Sequence, residues 1–204
     1  MDSLNVRLIE TAAPSTEPCT AAELRAWARI DDISEDASLA TMISAARSIA
    51  ESFCRRSFAE HSWKMAFDGP PCANSVTLWN PIATSITSIT YRDLAGASGT
   101  VSGSTYRLDS SGRKVVLIYG QAWPVGLDVE DSFFITYKAG PASPTDPVVK
   151  EAVLTIASAI YERRGQLLVG KPEGATGEAD VFGPLEILAP AAKALLLPYV
   201  EPRL

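Results

Sequence analysis

One histidine and three cysteines in 204 residues leave little material for side-chain catalysis or metal binding. Cys19, Cys54 and Cys72 are an odd number with no close pair, which fits free thiols in a reducing compartment better than a disulfide framework. With His61 they show none of the paired spacing of a zinc site, and the scattered acidic residues form no calcium loop. No metal or cofactor is expected. A Ser-His-Asp or Cys-His mechanism would have to be built on His61, yet Ser62 is merely adjacent and no Gly-x-Ser-x-Gly elbow exists. His61 therefore reads as a polar residue at a helix-to-strand junction, and no enzyme activity is expected. No apolar run approaches the roughly 18 residues of a membrane span. The first residues lack a basic segment followed by an apolar run, so no secretory signal is read and a soluble, cytoplasmically made protein is expected. Positive charge is also in deficit, with a formal net charge of −6. That argues against wrapping nucleic acid, where clustered Lys and Arg dominate affinity. A negative wall would instead repel phosphates and favour sliding of DNA past it.

Apolar content of 47% and charged content of 21% suffice for a sizeable core without disulfides. Two helix-patterned stretches, about Thr20 to Ser57 and Pro147 to Arg164, bracket a long block of strand and turn texture. Residues 1–19 read as an extended arm broken by Pro14 and Pro18. Thr20 and Glu23 have capping-box spacing ahead of Leu24, Trp27 and Ala28. Ser34 is the expected cap of a second helix, whose stripe of Leu39, Met42, Ile43, Ala46, Ile49, Ala50 and Phe53 steps by three and four. Arg47, Glu51 and Arg55 share a flank at i,i+4 spacing, either a solvated face or a contact with a neighbouring subunit.

From Ser62 to Tyr137, six short β-branched and aromatic runs alternate with turn residues. They predict a compact antiparallel sandwich or barrel with a mobile Gly/Ser loop over residues 95–104. Trp63, Trp79, Trp123, Tyr91 and Tyr106 are either its core or a stacking surface for sugar or single-stranded nucleic acid. Asp146-Pro147 then starts a helix burying Val149, Ala152, Val153, Ile156 and Ile160. Arg163 and Arg164 at its end suit the helix dipole, or serve an ion pair or subunit contact. Gly165 to Lys171 has the outline of a phosphate loop but is followed by Pro172 and preceded by a helix, the wrong context. Glycines and prolines over residues 166–189 predict a flexible arm, tipped by an apolar end around Leu195, Leu196 and Leu197. Such a tip calls for a docking place.

The expected class is therefore α+β: three main helices from both chain ends, an inserted antiparallel β block, and an extended C-terminal arm. The expected division is residues 1–60 with 141–165 as a discontinuous helical core, 61–140 as the β domain, and 166–204 as the arm with a short apolar terminal helix.

Several stretches in order carry a resemblance. They are Thr20-Ala-Ala-Glu-Leu24 with Asp31-Asp32, then Glu35-Asp36 and the stripe to Arg47, and Glu51 to Arg56. Trp63, Leu78-Trp-Asn-Pro81 and Ile86 to Asp93 follow, with Tyr106 to Asp109, Trp123-Pro124, Ile135 to Gly140, and Pro147 to Arg163. Over roughly residues 18–165 the chain resembles the head–tail connector (adaptor) family of long-tailed bacteriophages and gene transfer agents. The resemblance implies a ring of about twelve copies beneath the portal protein, passing DNA through its centre without sequence-specific binding. The ring would offer a platform to a tail-side stopper or tail-completion protein, in a virion or phage-like particle and without membrane contact. It implies portal engagement by the C-terminal segment, for which Leu195, Leu196, Leu197, Pro198 and Tyr199 are the candidates, with Arg203 as a charge partner. Arg47, Glu51, Arg55, Glu162, Arg163 and Arg164 are the candidate subunit contacts. The alternative is a ligand- or carbohydrate-binding module built on the aromatic β block, which would expose a row of Trp and Tyr.

Overall fold

The computed structural model describes residues 6–79, 82–127, 130–143, 146–164 and 190–201. Two units divide the chain: Met1–Ser15 with Ala59–Ala142, and Thr16–Phe58 with Ser143–Leu204. The class is mixed α and β, as expected.

In the first unit, strands β1 (Val6–Ala12), β2 (His61–Phe67), β3 (Ser75–Thr77), β4 (Ala83–Arg92), β5 (Ser98–Thr100), β6 (Tyr106–Leu108), β7 (Lys114–Leu117) and β8 (Phe133–Ala139) form two antiparallel sheets. Their orders are β1-β2-β8-β4-β5 and β3-β7-β6. All six expected runs are strands. The two additional ones were hidden by composition. β1 lies in the segment read as an arm; its Val6 and Leu8 alternate onto the core while Arg7 and Ile9 face away. β5 lies in the stretch expected to be a mobile loop, and its Gly99 lies opposite Tyr91. Central β8 is flanked on both sides, by β2 and β4, and buries Phe133, Ile135, Tyr137 and Ala139. These join Met65, Ile89, Val76 and Val115 from both sheets in one hydrophobic cluster. Each fully buried large side chain there contributes about 1.5–3 kcal/mol. Gly112 closes the β6–β7 turn at φ +66°, and a Cβ on it would lie 2.6 Å from the Ala83 carbonyl oxygen, so backbone rather than a yielding side chain excludes any other residue.

The second unit holds α1 (Ala21–Ala28), α2 (Asp36–Cys54), α3 (Pro147–Arg164) and α4 (Pro190–Leu196). Thr20 makes the anticipated capping box with Glu23. The cap ahead of α2 differs: Asp32 accepts from the Ser34 amide at 2.8 Å and starts a single 3-10 turn, Ile33–Glu35, from which α2 continues. A short carboxylate two residues back closes an Asx turn more readily than the Ser hydroxyl caps the longer helix. The α2 stripe buries Leu39, Ile43, Ala46, Ala50 and Cys54 against Val149, Ala152, Val153 and Ile156 of α3. The helical ends of the sequence thus pack on each other, as their patterning requires. Two boundaries fall elsewhere than expected. Residues 6–12 belong to the sheet unit, and α4 is part of the helical unit rather than a detached arm, with Ala192 and Leu196 in its core.

Candidate assembly surfaces

Arg47 sits on the margin of the α2 stripe, where the segment before α1 crosses it. Its side chain is 7% exposed, with Nε 2.8 Å from Glu17 and an Nη 2.6 Å from Glu51. The other Glu51 oxygen accepts from the Phe58 amide at 2.7 Å. One guanidinium therefore ties the pre-α1 segment to α2, and its partner carboxylate holds the chain leaving α2. The sequence correctly pairs Arg47 with Glu51, and within the chain the two charges meet each other. Arg55 takes the left-handed position ending α2 and is half-buried. Near the end of α3, Glu162 is exposed and Arg163 half-buried; Arg164 closes the helix.

The terminal segment is seated by a mixed clasp. Leu196 is fully buried and its carbonyl lies 3.6 Å from Cys54 Sγ, while the Glu201 amide donates to the Cys54 carbonyl at 2.9 Å. Tyr199 packs edge-on to Phe58, and the Arg56 guanidinium lies 5.4 Å from the Tyr199 ring centroid and 5.7 Å from that of Phe58. The Tyr199 hydroxyl donates to Asp146 Oδ2 at 2.6 Å; Oδ1 of the same carboxylate caps α3 through the Val148 amide at 3.0 Å. Of the residues expected to engage a portal, Leu196 is internal, Leu195 and Tyr199 are half-buried, and Leu197 and Pro198 are exposed. Arg203 and the phosphate-loop-like Gly165 to Lys171 lie outside the described residues. Sequence reasoning missed Arg56, Phe58 and Asp146 as clasp residues. Only Asp146 left a signal there, as a helix cap.

The clasp has a pH window. The Tyr199 hydrogen bond, more than the backbone amides of α3, holds the Asp146 carboxyl below its ordinary 3.8, and Asp146 raises Tyr199 above its ordinary 10.0. A depressed carboxyl stabilises above its unfolded pKa and loses that contribution as pH falls through the folded one; a raised phenol stabilises below its unfolded pKa and loses it as pH rises. Docking of residues 190–201 is expected to be strongest between about pH 4 and 10. Hydrogen exchange there, corrected for intrinsic rates, should lose protection at both limits. Tyr199→Phe should flatten both. A profile unchanged by that substitution would exclude the clasp as the cause.

Two of the three thiols and the histidine are buried. Burial, aided by Glu23 and Glu17 at Cys19 and by Glu51 at Cys54, pushes both thiols up to about 12, so neither is a thiolate at neutral pH. His61 begins β2, is buried, places Nδ1 2.7 Å from Glu10 and stacks on Trp63. Ser62, next on the same strand, points to the other sheet face. Among the described residues no group of three metal-ligating side chains occurs, and no helix is long and apolar enough to cross a membrane. Trp123 is buried, while Trp63, Tyr91 and Tyr106 pack against the β core; Trp79 is half exposed. The exposed aromatic row that a sugar-binding module needs is not formed by these residues.

No protein-family model matches the chain, and no curated protein matches it. Solved structures do. A chain in the neck of an empty gene transfer agent (GTA) particle, computed with C6 symmetry, matches with TM-score 0.72 and 21% identity, covering 97% of both chains. A chain in the virion of a native GTA particle matches at 0.69 and 20%, covering 97% of this chain and 96% of that one. A third, in the neck of a native GTA particle computed with C12 symmetry, matches at 0.66 and 20%, covering 97% of both. The chain thus has, over nearly its whole length, the fold of chains found in GTA particles. At these identities the likeness is one of fold.

Proposed function

We propose that this chain is a structural neck component of a phage-like particle, a head–tail adaptor. The observation that carries this is the end-to-end fold match, with 97% of the chain covered and both units included. A shared two-sheet unit alone would be weak support, because common folds host many functions. Here the match covers 97% of both chains. In this role copies form a ring below the portal; the C6 and C12 symmetries of the matching necks support a cyclic arrangement with up to twelve copies. DNA passes through the ring, and the net charge of −6 suits passage without retention. The portal lies on one side and a stopper or tail-completion protein on the other. Portal contact falls to the exposed face of the terminal segment, Leu197 and Pro198, with Leu195 and Tyr199 beside it, while Leu196 holds the segment on its own body; Arg203, outside the described residues, serves as a charge partner in this reading. The function needs no catalytic group.

Deleting the gene from a particle-producing strain should leave DNA-filled heads without tails, and re-expression should restore tailed particles. Normal yields of tailed particles from the deletion strain would exclude the adaptor role.

A further inference from the structure

The sheet unit carries an exposed surface that its own fold leaves unused. From Gly69 to Tyr91, and again from Val115 to Leu127, the chain contains no charged residue. Parts of these stretches, residues 70–74 and 117–125, line two open depressions of about 320 and 790 Å³. The depressions share Asn74, Leu117 and Gln121, so they form one continuous hollow, and Arg107 is the one charged residue on its walls. Beside it, Tyr119 is 101% exposed and Val125 85%. Leu94, also largely exposed, joins the same rim by donating its amide to Gly126 at 3.3 Å.

This rim is pinned in place. Trp123 is buried edge-on against Phe133 with ring centroids 5.4 Å apart, and its indole N–H donates to the Ala73 carbonyl at 2.9 Å. The Ile118 amide donates to Thr105 at 2.9 Å, and the Gln121 amide to Ile118 at 3.0 Å. A rigid loop that holds a tyrosine and a valine in water beside a hollow with one charged residue on its walls has the character of an interface core: depleted of charge, aromatic at its anchor and already ordered.

We propose that this surface is the contact at which a second copy of the chain docks, with Tyr119 and Val125 as anchors. The inference rests on the adaptor reading. Two observations select another copy as the occupant. The chain carries a net charge of −6, so two copies meeting through charged faces repel, and an uncharged strip is where they approach at least cost. The matching neck structures have cyclic symmetry, which requires every copy to contact its neighbours. The helix flank does not supply that contact with Arg47 and Glu51, because both are engaged internally.

Cys72 offers a direct test, because it is exposed on the wall of the hollow while Cys19 and Cys54 are buried. The full-length chain, labelled at Cys72 with a benzophenone maleimide, is irradiated at rising concentration and after incorporation into particles. Copy-to-copy cross-links are expected, and Tyr119→Glu or Val125→Asp should lower their yield about tenfold or more. The melting temperature should be unchanged, since neither side chain is packed. Cross-links to a different particle protein, no copy-to-copy product in particles, or a yield indifferent to both substitutions would overturn the proposal. Particles that keep a full neck ring with either variant sink this surface alone. Wild-type chain absent from the neck sinks the adaptor reading and the surface with it.

Discussion

Arg47→Met is expected to destabilise the helical unit by about 3–5 kcal/mol, because it leaves two carboxylates facing a site from which the compensating charge has gone. Methionine keeps the aliphatic length, so the loss is electrostatic rather than a cavity. Glu51 bears most of it: its side chain is 13% exposed, against 28% for Glu17, and water relieves Glu17 more. The Phe58 amide remains as a donor to Glu51 and softens the penalty without removing it. For a unit of about 100 residues this corresponds to a fall in melting temperature on the order of 10 °C or more. Adding Glu51→Gln to Arg47→Met should recover part of the loss, since a neutral amide is cheaper to leave there than a carboxylate deprived of its arginine. Chemical denaturation of the single and double variants gives the coupling directly. An Arg47→Met variant within about 0.5 kcal/mol of wild type would show that the buried cluster is structurally idle.

The same residue shows how far sequence reasoning reaches. The α2 stripe is readable because its period of 3.6 is local, and the Arg47–Glu51 pair follows from i,i+4 spacing. Glu17 lies thirty residues upstream, outside any helical period, and its arrival is what buries the arginine. A flank that looks solvated by periodicity alone is thereby closed over. Strands behave in the same way. The runs at Trp63, Ile86 and Phe133 announce themselves by alternation, whereas β5 is only Ser98–Thr100 and made of small residues, and β1 stands alone ahead of Pro14 and Pro18. They become strands because β2 and β4 present open edges to them. The apolar end around Leu195 was plain, but not its destination, since residues 165–189 carry no period linking it to Cys54 or Asp146. The hollow beside Tyr119 was equally hidden: an uncharged run reads as core until the fold shows which of its side chains remain in water.

Leu196→Asp is expected to release the terminal segment while the rest of the helical unit stays folded. Leu196 is fully buried with Ala192 against the α2–α3 core, and no partner awaits a carboxylate there. Truncating such a leucine to alanine costs about 2–5 kcal/mol, and an unpaired buried charge costs more. The remaining clasp includes Tyr199 on Asp146, Arg56 over two rings and a backbone bond from Glu201; net hydrogen bonds of about 1 kcal/mol each are small against that loss. Undocking caps the damage, because α4 packs on α3 beside the α2–α3 contact and can leave without opening that contact. Cys54 reports the event: its thiol lies under the Leu196 carbonyl and is buried, so a maleimide should modify it at least about tenfold faster in the variant, the tenfold corresponding to 1.4 kcal/mol of opening. Cys72 is exposed in both proteins and serves as the internal standard. Helical signal should fall only by the share of α4, and the sheet unit should keep its near-ultraviolet spectrum. If instead Cys54 stays protected, the segment is held by more than Leu196 and its clasp. If the whole helical unit melts, α4 is an integral part of the core rather than a segment docked onto it. In the adaptor role the docked state also sets which surface meets the portal: a variant with α4 released exposes Leu195 and Tyr199 together with Leu197, and its portal affinity, measured against wild type, shows whether engagement uses the seated segment or a freed one.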